Sequence, residues 1–91
     1  MGSDTPWKVV WNEKVHNDLS AVDKSTAAKI IDRVEGYLTQ DPVNLGKPLS
    51  GHLAGIFRYR YGDYRILYVL DYAAQTITVL GVGHRRKVYQ N

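Results

Sequence analysis

The fold of this chain is decided by residues 57–68, which read Phe57-Arg58-Tyr59-Arg60-Tyr61-Gly62-Asp63-Tyr64-Arg65-Ile66-Leu67-Tyr68. On both sides of Gly62-Asp63, polar and apolar side chains alternate, and a period of two is that of a β-strand with one buried face. Glycine followed by aspartate between two such runs predicts a tight turn. The stretch therefore predicts a β-hairpin with strands at 56–61 and 64–70.

The alternation also predicts which side chains share a face. The rings of the first strand lie on one side, which leaves Arg58 and Arg60 on the other. On the second strand, Arg65 alternates in the same way with Tyr64 and Ile66. If the rings face a core, the three arginines converge on the opposite surface of the sheet.

Upstream of the hairpin, the apolar period becomes that of helices. An aromatic, β-branched run predicts a first strand at 6–11, after which Asn12 can cap a helix. Asp23 can cap a second helix that Asp41-Pro42 ends, and residues 76–82 predict the last strand. The order β-α-α-β-β-β predicts an α+β domain in which a helical hairpin packs on one face of a four-stranded, mostly antiparallel sheet.

Length and composition indicate one folded domain. The chain has 91 residues, of which 44% are hydrophobic and 23% charged, as is typical of globular domains. We expect the domain to span residues 6–91, after a flexible leader at 1–5. The absence of cysteine excludes disulfides and a thiol nucleophile, and no apolar run is long enough to span a bilayer. We expect a cytoplasmic protein that uses no metal or other cofactor.

The charges are unevenly distributed along the chain. The net charge is +3, but residues 56–91 carry six Lys/Arg against two Asp/Glu, whereas residues 1–55 carry six against seven. Five of the six cations in the second part are arginine, and six of the seven tyrosines lie there too. Arginines interleaved with aromatic rings are typical of nucleic-acid-binding surfaces. The alternative is that these are solvated charges on an ordinary sheet.

Several segments, taken in order, resemble the RelE-like toxins of bacterial and archaeal toxin–antitoxin pairs. They are Asp41-Pro42, Lys47-Pro48-Leu49-Ser50-Gly51, Leu53-Ala54-Gly55, the hairpin of residues 57–68, and Gly83-His84-Arg85-Arg86-Lys87-Val88-Tyr89. Their order and spacing make a specific signal that covers residues 7–90, and the family has the β-α-α-β-β-β fold predicted above.

The resemblance implies a ribosome-dependent endoribonuclease. Such toxins cleave messenger RNA in the ribosomal A site, without metal, by attack of a ribose 2′-hydroxyl on the adjacent phosphate. The implied partners are the ribosome, messenger RNA and a RelB-like antitoxin that holds the toxin inactive. Operator DNA would be bound only indirectly, through the antitoxin.

The family pattern also implies roles for particular residues. Arg65 and Arg85 would clamp the scissile phosphate, and Arg58 matches a position that is often a functional cation. Tyr89 is the first candidate for the group that removes the 2′-hydroxyl proton, and His84 is the second. Further RNA contacts are expected from Arg60, Arg86 and Lys87.

One departure from the best-known RelE toxins concerns the strand before the hairpin. Those toxins carry two lysines two residues apart, where this chain has Ile56 and Arg58. Arginine is a permanent cation, so this strand does not supply a general base.

Three alternatives stay open at the level of sequence. The same fold serves ParE-type toxins, which poison DNA gyrase, and it could also serve as a catalytically inactive antitoxin-binding module. The tail favours the nuclease, because ParE-like chains generally lack its arginines and terminal tyrosine.

Some residues also have an alternative interpretation. Arg65 could form a surface ion pair with Asp63 or Asp71 instead of binding phosphate. Gly81-Val82-Gly83, which no helix or lysine follows, predicts a bend or close approach and not a phosphate-binding loop.

Overall fold

The structure is a computed structural model, and it describes residues 6–84. Its elements, in chain order, are β1 (Lys8–Trp11), α1 (Glu13–Ser20), α2 (Lys24–Gly36), α3 (Pro42–Leu45), β2 (Lys47–Pro48), β3 (Phe57–Tyr61), β4 (Tyr64–Asp71) and β5 (Thr76–His84). Short 3-10 turns lie at Leu38–Gln40 and Gly51–Leu53. The predicted α+β class is confirmed.

Within the described residues, the strands form one five-stranded sheet in the order β1-β5-β4-β3-β2. β1 runs parallel to β5, and all other neighbours are antiparallel, so the mostly antiparallel sheet is confirmed. The predicted count of four strands is wrong, because β2 pairs Lys47 with Arg58 and Pro48 with Phe57. Two residues are too few to show alternation, and a proline, which has no N–H for the ladder, indicated a connection instead.

The helical hairpin begins where the sequence predicts. The Asn12 side chain accepts a hydrogen bond from the Lys14 N–H at 3.0 Å, and Asp23 Oδ2 accepts one from the Thr26 N–H at 3.1 Å. Both bonds satisfy N–H groups that the first turn of a helix leaves without a backbone partner. The two helices are thus started by their own capping side chains.

The second helix ends earlier than predicted. α2 stops at Gly36 rather than at Asp41, and a 3-10 turn at Leu38–Gln40 follows. Asp41 then caps α3 by accepting a hydrogen bond from the Asn44 N–H at 3.3 Å. Pro42 occupies the first helical position, where a missing N–H costs nothing. Among the helices of residues 6–84, none is long and apolar enough to cross a membrane.

The core lies between the helices and one face of the sheet. Its fully buried side chains from helical segments are Val15, Ile30, Val34 and Leu38, and those from strands are Ile66, Tyr68, Ile77 and Val79. We call this side of the sheet the core face. No helix of the described residues packs on the opposite side, which we call the open face, as the sequence predicted.

Tyr68 ties the connection after α2 to the sheet. It is fully buried, and its hydroxyl donates a hydrogen bond of 2.6 Å to the Pro42 carbonyl. Its ring stacks on Phe57, with 5.4 Å between ring centroids. The segment between α2 and β3 is therefore ordered by one phenol that reaches it from the centre of the sheet.

We expect alkaline pH to destabilise the domain through Tyr68. Burial, with a further contribution from the nearby charge of Asp41, raises the pKa of Tyr68 well above its ordinary value. The folded state keeps the phenol neutral, whereas the unfolded chain ionises above pH ~10. The contribution of Tyr68 to the free energy of unfolding is therefore complete below that pH and is lost as the pH rises above it.

Urea unfolding of wild type and Tyr68→Phe between pH 7 and 11 measures this effect. At pH 7 the variant should be less stable by about 1 kcal/mol, because it lacks the hydrogen bond to Pro42. Its loss of stability above pH ~10 should be shallower than that of wild type. If the free energy of unfolding fell equally steeply with pH in both proteins above pH ~10, the prediction would be contradicted.

Candidate functional site

The register of the central hairpin brings three arginines to the open face. Tyr59 pairs with Ile66, which is a core residue, so the rings of β3 lie on the core face. Arg58 and Arg60 alternate with those rings, and Arg60 lies directly opposite Arg65. The predicted convergence of Arg58, Arg60 and Arg65 on one surface is confirmed by this register.

The turn of the hairpin sets that register. Tyr61 pairs directly with Tyr64, so the loop consists of Gly62 and Asp63 alone. Gly62 has φ 58°, and glycine with positive φ at the first loop position is the requirement of a type II′ turn. The order glycine then aspartate therefore suits the turn, and the turn places Arg60 opposite Arg65.

A fourth cation lies beside the three arginines. β2 places Lys47 directly opposite Arg58, so the same face carries Lys47, Arg58, Arg60 and Arg65, which we call the basic cluster. Like charges directly opposite one another destabilise a sheet, and within residues 6–84 none of these four side chains forms an ion pair. The alternative pairing of Arg65 with an aspartate is thus not observed there. A pocket of about 240 Å³ opens at the cluster and is lined by Leu45, Lys47, Arg58, Tyr59 and Arg60.

Arg65 differs from the other members of the basic cluster in its burial. It is only 9% exposed, whereas Arg58 is half-buried and Arg60 is exposed. Two of its guanidinium nitrogens, Nε and Nη1, are buried without a hydrogen-bond partner. Burying a cation without a partner is costly, so an unpartnered group of this kind indicates a binding function. Arg65 is the side chain of the cluster most suited to bind an anion.

The strand next to Arg65 presents glycine to the open face. Gly83 pairs with Arg65 and Gly81 pairs with Leu67, while the register shifts between Leu67 and Tyr68. This irregularity, a β-bulge at Leu80, lies directly before Gly81-Val82-Gly83, the segment for which the sequence predicted a bend or a close approach. Because neither glycine has a side chain, β5 places no side chain beside Arg65 on the open face.

The remaining predicted site residues are not brought to this surface by the described part of the chain. His84 pairs with Tyr64 and shares its face, and the two rings meet edge to face with 5.7 Å between centroids. It therefore lies on the core face, away from the basic cluster. The other predicted residues, Arg85, Arg86, Lys87 and Tyr89, lie outside the described residues.

Comparison with known proteins shows the family. Residues 9–89 match the family model described as the ParE toxin of the type II toxin–antitoxin system, parDE. This chain is a toxin of the RelE/ParE superfamily. Over 85 residues the toxin is 34% identical to Toxin RelG of Mycobacterium tuberculosis, covering 93% of this chain and 98% of RelG. It is 31% identical to Toxin RelE of the same organism, covering 99% and 93%.

A solved structure agrees with the fold of the toxin. The crystal structure of the toxin–antitoxin complex RelBE2 from Mycobacterium tuberculosis contains a chain that is 33% identical to it, with a TM-score of 0.86. The match covers 93% of the toxin and 98% of that chain. The family resemblance that the sequence carries is therefore confirmed, and the toxin belongs to a type II toxin–antitoxin system.

One arginine of the toxin lies on the other side of the sheet. The Arg33 guanidinium carbon lies 5.1 Å from the ring centre of Tyr37 and 5.6 Å from that of Tyr61. These cation–π contacts link α2 to β3. Burial raises the pKa of Tyr59, partly offset by the charge of Arg33, so this phenol stays neutral at physiological pH. Arg33 thus has a structural role that the basic cluster does not share.

Lys47 is the member of the basic cluster that the sequence did not predict. Its face depends on pairing with β3, and that pairing continues in a hydrogen bond from the Leu49 N–H to the Ile56 carbonyl at 2.9 Å. The six residues between Leu49 and Ile56 carry no alternation from which this register could be read. The sequence offered only one signal for Lys47, namely that a lysine lies a short distance before the hairpin.

Proposed function

We propose that this toxin is an endoribonuclease that cleaves messenger RNA in the ribosomal A site. The observation that carries the proposal is Arg65, a buried guanidinium with two unpartnered nitrogens among other cations on the open face. A phosphodiester is the anion that such a group suits, because two parallel N–H donors match two phosphate oxygens. The likeness to toxins named RelE and RelG supports the same reaction class.

The reaction we propose is attack of the ribose 2′-hydroxyl on the adjacent phosphorus. The P–O bond to the 5′-oxygen breaks, which yields a 2′,3′-cyclic phosphate and a 5′-hydroxyl. The extra negative charge on the pentacoordinate phosphorus must be neutralised in the transition state. Arg65 and Arg58 supply that charge from the described sheet, and the family pattern adds Arg85. Arg60, Arg86 and Lys87 would bind the flanking RNA.

Removal of the 2′-hydroxyl proton needs a group other than these arginines. The rings of the hairpin tyrosines lie on the core face, and burial raises the pKa of Tyr59, which also lines the pocket at the basic cluster. We retain Tyr89 as the first candidate, and arginines close to it would lower the pKa of its phenol. His84 ranks second, because an imidazole can exchange a proton near neutral pH but this ring packs against Tyr64 on the core face. Rate profiles against pH for wild type, Tyr89→Phe and His84→Ala distinguish the two.

The shape of the open face supports the proposed dependence on the ribosome. The basic cluster lies on adjacent strands of a sheet, and such a surface binds phosphate oxygens without enclosing the ribose. In-line attack requires the 2′-oxygen, the phosphorus and the 5′-oxygen to be aligned. We propose that the ribosome supplies this alignment by holding the messenger in the A site.

The partner that restrains the toxin is proposed to be a RelB-like antitoxin. The RelBE2 structure that resembles this chain is a toxin–antitoxin complex. An antitoxin segment could inhibit by covering the basic cluster, because its carboxylates would pair with cations that form no ion pairs within residues 6–84. Operator DNA would be bound through the antitoxin and not by the toxin itself.

Purified toxin added to ribosomes programmed with a defined messenger tests the proposal. Cleavage at the A-site codon, with 2′,3′-cyclic phosphate and 5′-hydroxyl ends, is the expected result. The second candidate is a ParE-like gyrase inhibitor, which the ParE family model favours. Gyrase-dependent breaks in plasmid DNA, without RNA cleavage, would establish that function instead. If neither activity appears, the toxin is an inactive antitoxin-binding module.

We expect Lys47→Ala to weaken substrate binding without slowing saturated cleavage. Lys47 is exposed at the edge of the basic cluster and lies two strands away from Arg65. Loss of one phosphate contact should raise KM several-fold and make the slope of log KM against log salt about one unit shallower. Lys29→Ala, which removes an exposed lysine from α2, is the matched control. An equal effect of both substitutions would show that only net charge matters.

A further inference from the structure

We propose that Asp18 is a positioning residue of this toxin, whose carboxylate holds the β-bulge that puts glycine beside Arg65. The inference rests on the proposed function, because it explains why no side chain of β5 covers the guanidinium proposed to bind a phosphodiester. Asp18 lies in α1, on the core side of the sheet. It therefore acts on the open face only through the backbone of β5.

The contact between Asp18 and β5 is specific. Asp18 Oδ2 accepts a hydrogen bond of 3.0 Å from the Val82 N–H, across 64 positions of sequence. The same oxygen would lie 3.6 Å from a Cβ placed on Gly81, so the carboxylate lies directly against the strand at the bulge. The half-buried Asp18 thus lies beside β5 at the point where the strand bulges.

The Val82 N–H needs this partner because β1 ends too early to supply one. The pairing of β1 with β5 stops where Trp11 meets Val79, and the chain then turns into α1 at Asn12. Beyond Val79, the outer edge of β5 has no strand beside it within the described residues. A partly buried N–H must find an acceptor, and Asp18 reaches it from the first helix.

The bulge decides which side chains of β5 face Arg65. Tyr68 pairs with Val79 and Leu67 pairs with Gly81, which leaves Leu80 as the extra residue. Because alternation has a period of two, this insertion exchanges the faces of all later residues. An unbroken ladder would instead place Val82 opposite Arg65 and turn the glycines toward the core.

The bulge determines whether a side chain of β5 covers the Arg65 guanidinium. Residues directly opposite each other in a sheet have Cβ atoms about 5 Å apart, so a valine beside Arg65 would cover part of its guanidinium. Gly83 in that position puts no side chain over the part of Arg65 that remains exposed, which is 9% of the residue. By fixing the bulge, Asp18 keeps Val82 in the core, where it is 5% exposed, and keeps glycine at the site.

Three variants test the proposal in the ribosome assay. Asp18→Leu removes the acceptor at similar size and should lower kcat at least tenfold, with KM within twofold of wild type. Asp18→Asn retains a side-chain oxygen and should restore kcat to within threefold. Asp23→Leu is the matched control, since it removes a comparable carboxylate bond, 3.1 Å to the Thr26 N–H, at a site distant from β5. It should lower Tm and leave kcat of the folded protein unchanged.

Nuclear magnetic resonance gives a readout that does not depend on activity. In Asp18→Leu, hydrogen exchange of the Val82 amide should accelerate at least tenfold, and backbone contacts between Arg65 and Gly83 should weaken. An intact bulge in Asp18→Leu overturns the proposal, as does a kcat equal to that of wild type or of the Asp23→Leu control. If wild type itself fails to cleave on ribosomes, the proposed function is wrong. The resonance data then still decide whether Asp18 holds the bulge.

Discussion

Replacement of Arg65 by alanine is expected to lower the rate of ribosome-dependent cleavage by about 10²–10³-fold, the usual loss when one preorganised donor to a developing anion is removed. The guanidinium is 9% exposed and holds two unpartnered nitrogens, so no existing hydrogen bond of these nitrogens has to break before a phosphate binds. Arg65→Lys keeps the charge but loses the paired donors, so its cleavage rate should lie between that of wild type and that of Arg65→Ala. Single-turnover cleavage on programmed ribosomes measures all three proteins.

The stability of Arg65→Ala separates catalysis from folding. Removing a buried cation that has no partner should leave the free energy of unfolding unchanged or raise it. Arg33→Ala is the control, because that guanidinium packs on Tyr37 and Tyr61 on the core side. It should cost about 1 kcal/mol of stability and leave cleavage intact. Full cleavage by Arg65→Ala would reject the assignment of the site.

Replacement of Gly46 by alanine is expected to destabilise the domain by about 3 kcal/mol or more, since it combines overpacking with a lost buried hydrogen bond. A Cβ at this position would overlap the Tyr68 hydroxyl and approach the Arg58 carbonyl to 3.0 Å. Tyr68 is fully buried and bonded to Pro42, so it cannot move aside. Urea unfolding at pH 7 measures the change.

Gly36→Ala is the matched control for this steric argument. Gly36 is the last residue of α2, and no atom lies within 4 Å of the position its Cβ would take. Alanine there should be neutral or stabilising by up to about 1 kcal/mol, because it restricts the unfolded chain. If Gly46→Ala lowered the free energy of unfolding no more than Gly36→Ala does, the steric explanation would be contradicted.

The central hairpin could be predicted from the sequence because its signals are local. Alternation assigned Arg58, Arg60 and Arg65 to one face, and Gly62-Asp63 predicted the turn that pairs the strands. The helix caps at Asn12 and Asp23 were equally local. Where the information lies within a few neighbouring residues, patterning was sufficient.

Other features of the site depend on contacts between distant residues. The bulge at Leu80 cannot be recognised in the sequence, because the residues around it are all apolar. It is nevertheless this bulge that places His84 on the core face and Gly83 on the open face. A slip of one residue exchanges the two faces of a strand, so alternation could not assign these positions. The burial of Arg65 likewise follows from three-dimensional packing and not from its neighbours in sequence.

The family assignment and the reaction rest on different grounds. A shared fold carries many functions, and the matching family model bears the name of ParE while the similar proteins are named RelG and RelE. The basic cluster is what favours RNA cleavage over the poisoning of gyrase. Function in this superfamily therefore has to be decided at the open face, residue by residue.

The parallel pairing of β1 with β5 has a consequence for how the toxin is made. Lys8 lies opposite Thr76, so β1 can pair only after β5, the last strand of the described residues, has been synthesised. A nascent chain carries its helical hairpin long before the sheet on which the hairpin packs, and pairing across such a sequence distance is slow. Arg65 and Gly83 meet only when translation of the domain is nearly finished. The surface that carries Arg65 beside Gly83 is therefore among the last parts of the domain to form.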